Sequence, residues 1–151
     1  MKQYIMLVGI FLGLNLCAVC QEMTGYMQVE GKKTMNYDKD GKCQGFDRYD
    51  QKRKVNVHYD CKKKEIGYAK KDNKTHGLIN YGIFDNVVNY TKVKGKKTFR
   101  YDKDDNCLGY YIFDSRSKKR IYYNCEGKEL GYSKQEKEKN VFYGDFPYIG
   151  W

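Results

Sequence analysis

The chain has 151 residues and a formal net charge of +10, with 16 tyrosines, six cysteines, two histidines and a single proline. This length bounds one domain or two small ones. Two histidines with no Ser-His-acid or Cys-His arrangement leave no constellation for a conventional hydrolase. The excess of lysine and arginine points toward anionic partners.

Met1-Lys-Gln-Tyr-Ile-Met-Leu-Val-Gly-Ile-Phe-Leu-Gly-Leu-Asn-Leu16 carries one early lysine and then an apolar run, followed by the small-residue stretch Ala18-Val-Cys20. It reads as a secretory signal peptide, residues 1–20, cut before Gln21. The alternative is a membrane anchor, for which the run is short. No other stretch is apolar enough to cross a membrane. Removing 1–20 takes away only Lys2, so the charge becomes +9, and four cysteines are left: Cys43, Cys61, Cys107 and Cys125. An even cysteine count in a short secreted chain implies disulfides. Only three leucines remain (Leu78, Leu108, Leu130), so tyrosine must do much of the packing.

The chain is a duplication. Residues 25–68 and 89–132 align 64 positions apart without a gap and agree at 20 of 44 positions. Inside it runs a shorter period. Gly-aromatic pairs stand at Gly25-Tyr26, Gly45-Phe46, Gly67-Tyr68, Gly109-Tyr110 and Gly131-Tyr132, with Asn89-Tyr90 in the missing slot. A second tyrosine precedes each next pair by eight residues: Tyr37, Tyr59, Tyr81, Tyr101, Tyr123, and Tyr143 before Trp151. Six units of about 21 residues result, grouped as two triplets, 21–88 and 89–151.

Val55-Asn-Val-His-Tyr59 and Ile121-Tyr-Tyr123 alternate like half-buried strands, and Glu30-Gly31, Asp40-Gly41, Asp72-Asn73, Lys94-Gly95 and Asp105-Asn106 form turns between such runs. Lys134-Gln-Glu-Lys-Glu-Lys139 reads as a polar hairpin tip, and Pro147 interrupts nothing. The expected fold is all-β: a tandem array of six hairpins, an antiparallel meander or β-solenoid stapled by disulfides. A trefoil ranks lower because internal identity peaks at three units. Centring the second hairpin on Lys52 sets Tyr49 opposite Val55, Gly45 opposite Tyr59 and Cys43 opposite Cys61. Centring the fifth on Arg116 sets Cys107 opposite Cys125. Cys43–Cys61 and Cys107–Cys125 are therefore expected over Cys43–Cys107 with Cys61–Cys125.

Gly25-Tyr-Met-Gln-Val-Glu-Gly-Lys-Lys-Thr-Met-Asn-Tyr-Asp-Lys-Asp-Gly-Lys-Cys-Gln-Gly-Phe46 resembles the choline-binding and glucan-binding cell-wall repeats of bacteria, and Asn89-Tyr-Thr-Lys-Val-Lys-Gly95 is similar to their tip. The resemblance covers nearly all of the chain after residue 20, in spacing. It implies hairpins stacked into a solenoid, with ligands held between aromatics of neighbouring hairpins. The implied ligand residues are Tyr26, Phe46, Tyr68, Tyr90, Tyr110 and Tyr132, with Tyr37, Tyr59, Tyr101 and Tyr123. The family's tryptophans are tyrosine or phenylalanine here, which weakens a cation–π cage for choline, and the cysteines are a further departure. The Tyr-Asp…Gly-Tyr rhythm is also similar to MORN-type repeats.

No metal or cofactor is expected. Asp102, Asp104 and Asn106 mimic the start of a calcium loop, but Cys107 and Phe113 stand where its glycine and closing glutamate belong. The expected function is a secreted, non-catalytic Tyr/Lys-rich protein that binds a polysaccharide, cell wall or anionic surface. Alternatives are an extracellular adhesive or matrix protein, similar in composition to byssal foot proteins, and a secreted effector or inhibitor of an acidic protein. Nucleic acid satisfies the same charge terms, but a secreted chain seldom meets it.

Overall fold

A computed structural model describes residues 21–145. The signal peptide assigned to 1–20, and Pro147 and Trp151, lie outside the described residues. Twelve strands follow one another: β1 Met23–Glu30, β2 Lys33–Asp38, β3 Cys43–Asp50, β4 Val55–Tyr59, β5 Glu65–Lys71, β6 Leu78–Gly82, β7 Val87–Lys94, β8 Lys97–Asp102, β9 Cys107–Asp114, β10 Lys119–Tyr123, β11 Glu129–Glu136 and β12 Lys139–Gly144. Each of the six sequence units supplies one hairpin, and the strands bear out the all-β reading.

The array is not open. Every strand pairs antiparallel with its sequence neighbours, and β1 pairs with β12, so the sheet is a closed barrel in place of the expected solenoid or open meander. Two physical reasons favour closure. An open twelve-stranded sheet would twist strongly and leave two bare edges, which closure removes. The wall can also bend, because the Gly-aromatic positions sit beside bulges. The register shifts between Asn36 and Tyr37 opposite β3, and between His58 and Tyr59 opposite β5. Gly45 adopts φ +141°, and a Cβ there would lie 2.6 Å from the Tyr59 carbonyl oxygen. Gly109, at φ +129°, would meet the Tyr123 carbonyl at 2.5 Å. Only glycine allows that approach at that backbone angle.

The register within hairpins differs by one residue from the expectation. Tyr49 lies opposite Asn56, not Val55, and Phe46, not Gly45, opposes Tyr59. The fifth hairpin shifts likewise, with Tyr110 opposite Tyr123. The cause is an even-numbered tip, residues 51–54, which the Asp50 carboxylate caps by accepting from the amides of Lys52 (2.9 Å) and Arg53 (3.0 Å). The tip closes through Lys54 at φ +55°, and through Lys118 at φ +53° in the fifth hairpin. Both disulfides nevertheless form as expected, Cys43–Cys61 and Cys107–Cys125, each with Cα atoms 6.1 Å apart. Cys61 and Cys125 lie beyond the ends of β4 and β10, where the ladder no longer dictates position.

No single apolar core results. Val57 and Val141 are buried on the outer face, between cross-strand neighbours Arg48 and Tyr68 and between Tyr26 and Lys134. Tyr122 and Phe142 are buried on the lumenal face.

Candidate functional site

Strand alternation separates the side chains into two sets. One set forms a belt around the outside, at the end where the two termini meet. All ten aromatic residues expected to face a ligand lie in it, joined by Tyr81 and Tyr143. They stack across each hairpin in six pairs: Tyr26–Tyr37 at 4.9 Å between ring centroids, Phe46–Tyr59 at 4.8 Å, Tyr68–Tyr81 at 4.9 Å, Tyr90–Tyr101 at 5.3 Å, Tyr110–Tyr123 at 4.9 Å and Tyr132–Tyr143 at 5.0 Å. Cross-strand aromatic pairs of this kind contribute about 0.5–1.5 kcal/mol each beyond their burial.

Cations fill the intervals between pairs. Lys33 sits 4.6 Å over Phe46, Lys97 4.3 Å over Tyr110, Lys119 3.9 Å over Tyr132 and Lys139 4.0 Å over Tyr26. Each of these lysines stands four residues before the second tyrosine of its unit. In the second unit Arg53 takes the role, 5.2 Å over Tyr68. The sixth interval, between Tyr81 and Tyr90, has Gly77 at the equivalent position. In five of the six intervals, where the resemblance implies a ligand slot, an amine or guanidinium of this chain lies over one of the two rings.

The hydroxyls of the belt bond to acids. Tyr37 donates to Glu30 (2.8 Å), Tyr68 to Asp85 (2.9 Å), Tyr143 to Glu136 (2.6 Å) and Tyr90 to Asp105. The hydrogen bond to the neighbouring carboxylate raises the pKa of Tyr37, Tyr90 and Tyr143 above the ordinary phenol value. For Tyr68, burial is the larger cause and the bond to Asp85 the second.

The other set faces the lumen. Eight strands leave a barrel just filled by its side chains, and twelve leave room. Here the room is a cavity of about 840 Å³, within the range of small-ligand sites. Its lining mixes apolar side chains, among them Met27, Ala69, Leu78 and Leu130, with the buried polar residues Asn36, His58 and Asn89. Asn80 donates to Asn89 at 2.6 Å across the β6–β7 seam, His58 Nδ1 lies 2.5 Å from the Asp47 carboxylate, and Tyr122 bonds Ser133 at 3.2 Å. Arg100 lines the same cavity half-buried, and burial draws its pKa down. At the hairpin-tip end the lumenal row is apolar and exposed, through Val29, Tyr49, Val93 and Phe113.

Among the described residues no cluster of three His, Cys, Asp or Glu could hold a metal ion. The calcium-like stretch is a turn: the Asp102 carboxylate accepts from the amides of Asp104 and Asn106 and from the Asn106 side chain, each at 2.9 Å. No helix among the described residues is long and apolar enough to cross a membrane. The outer face carries lysines where a lipid-facing barrel band would be apolar.

Sequence reasoning missed the lumen. Asp47, His58 and Arg100 do not stand out by type or motif. The available signal was their failure to repeat: at the 64-residue offset Asp47 becomes Tyr111, His58 becomes Tyr122, and Arg100 takes the place of Asn36. No family model, curated protein or solved structure matches the chain.

Proposed function

We propose that this is a secreted, non-catalytic binding protein that docks on anionic polymers, such as an acidic glycan or cell-wall polymer, through the amines of its outer belt. The observation that carries the reading is the closed circuit of stacked aromatic pairs with a lysine or arginine in five of its six intervals. The rings hold the amines in place, so the positive charge is fixed in a band and not dispersed on free side chains. Two disulfides suit an oxidising compartment. A charge of +9 after residue 20 supplies long-range attraction. Docking of this kind weakens with salt, because the amines remain at the solvent boundary.

Co-sedimentation of the oxidised protein with cross-linked alginate, peptidoglycan and chitin, at low and high salt, tests the reading. The expected result is retention on alginate and peptidoglycan that is lost at high salt, with none on neutral chitin. Retention on chitin that survives salt and yields to free sugar would overturn it in favour of ring stacking. No retention on any polymer would also overturn it and turn attention to an acidic protein partner.

A further inference from the structure

We infer that the barrel lumen is a binding site for a small organic anion with an apolar body, and that Arg100 is the group that receives its charge.

A guanidinium stays protonated at any physiological pH, and placing a charge in a confined lumen without a counter-charge is unfavourable. Arg100 stands on β8 opposite Thr91 and Gly109, facing the cavity. Among the described residues no carboxylate forms an ion pair with it. The lumen's acids have other work: Asp47 is held by His58 at 2.5 Å, and Asp102, on the same face of β8, caps the turn at 103–106. The first triplet shows that the fold has no need of a cation here, since its equivalent position is the neutral Asn36. An unneeded charge at a destabilising place is a mark of a ligand site.

The surroundings define the remainder of the ligand. Asn89, on the neighbouring strand and facing the same cavity, brings a side-chain amide suited to an oxyanion, and the lumenal row toward the tips turns apolar at Val93 and Phe113, with Leu78 alongside. A carboxylate, sulfonate or phosphate head would lie at Arg100 while an aromatic or aliphatic body extends toward the apolar mouth. The belt rings project from the opposite side of the wall, and of the belt residues only Tyr110 and Tyr123 also border the cavity.

The test uses the oxidised protein and two dyes of one shape, 8-anilinonaphthalene-1-sulfonate and its uncharged parent N-phenyl-1-naphthylamine. Fluorescence titration is expected to show one anionic dye bound per chain, and the neutral parent at least tenfold weaker. R100Q is expected to weaken the anionic dye at least tenfold, with R100K intermediate. Without dye, R100Q is expected to melt at the same temperature as the native chain or higher, because a charge has been relieved. K33Q/K97Q, which thins the outer belt, is expected to leave dye binding unchanged. Equal binding of the two dyes, no binding of either, or native affinity in R100Q would overturn the proposal. So would an R100Q that fails to fold, since the guanidinium would then be structural.

Discussion

The two halves of the barrel, β1–β6 and β7–β12, are alike outside and different inside. On the outer face the equivalents across the duplication are Tyr26 and Tyr90, Tyr37 and Tyr101, Tyr59 and Tyr123, Tyr68 and Tyr132, with Lys33 and Lys97 in matching intervals. On the lumenal face Asn36 answers to Arg100, Asn56 to Arg120, and the Asp47–His58 pair to Tyr111–Tyr122, whose rings are 5.8 Å apart. The first half therefore lines the lumen with hydrogen-bonding groups and one carboxylate–imidazole contact. The second half supplies aromatics and two arginines, Arg120 over the Tyr111 ring at 4.7 Å and Arg100 on the cavity wall. What repeats in this chain builds the wall, and what does not repeat gives the cavity its chemistry.

The comparison breaks most visibly at the disulfides. Cys43–Cys61 and Cys107–Cys125 span the same 18 residues and the same geometry. Closing a loop of that size contributes about 3 kcal/mol. The double variants C43S/C61S and C107S/C125S are expected to lose about this much each, and to lose it equally, in urea unfolding followed by circular dichroism. A clearly larger loss for one pair would show that the lumenal differences set the stability of each half, contrary to a wall that is equivalent on both sides.

The hairpins, the sixfold unit and both disulfides were legible because period and turn residues are local properties. Closure was not, since whether β1 meets β12 depends on accumulated twist and on how far the sheet bends at Gly45 and Gly109, whose Gly-aromatic motif marks the places and not the angles. The one-residue register error arose because Lys54 and Lys118 adopt positive φ, where a lysine gives no warning, and so lengthen the tip to an even count. The belt aromatics share one face because their period matches the strand alternation, but their stacking in pairs across each hairpin and the cations between the pairs depend on register, which the period does not give. The lumen stayed hidden because its polar residues alternate with outward tyrosines, which inverts the usual pattern of an apolar interior.

Alkaline titration sharpens the comparison through the acid partners, which differ between halves. Tyr37 bonds Glu30 in the first half, and the residue equivalent to Glu30 in the second is Lys94; Tyr90 bonds Asp105, whose first-half equivalent is Gly41. Both phenols have folded pKa values above the unfolded value of about 10. A raised phenol pKa means that the protonated form favours folding. The contribution is complete below about pH 10 and disappears as pH rises through the folded value. The native chain is expected to lose stability above that point, read by circular dichroism alongside phenolate absorbance. E30Q and D105N are each expected to bring part of the phenolate absorbance to lower pH, one in each half. No change in either variant would mean that the carboxylates do not hold the belt hydroxyls in solution.

The smallest effect concerns the amines over the rings. Lys33 lies 4.6 Å over Phe46 and Lys97 lies 4.3 Å over Tyr110, and both are partly exposed, so the cation–π contribution of each is about 0.5–1 kcal/mol. Glutamine keeps much of the stem that packs on the ring and removes the charge, so K33Q and K97Q isolate the electrostatic part. Each is expected to lower the melting temperature by about 2–4 °C. The two positions lie six strands apart, on opposite sides of the barrel, with no shared partner. Their effects are therefore expected to add within about 0.5 kcal/mol. Simple additivity would mean that each interval of the belt is an independent clasp. A double variant that loses much more than the sum would mean that the circuit acts as one ring, stable only when closed, and that the halves are coupled through their shared exterior despite their different interiors.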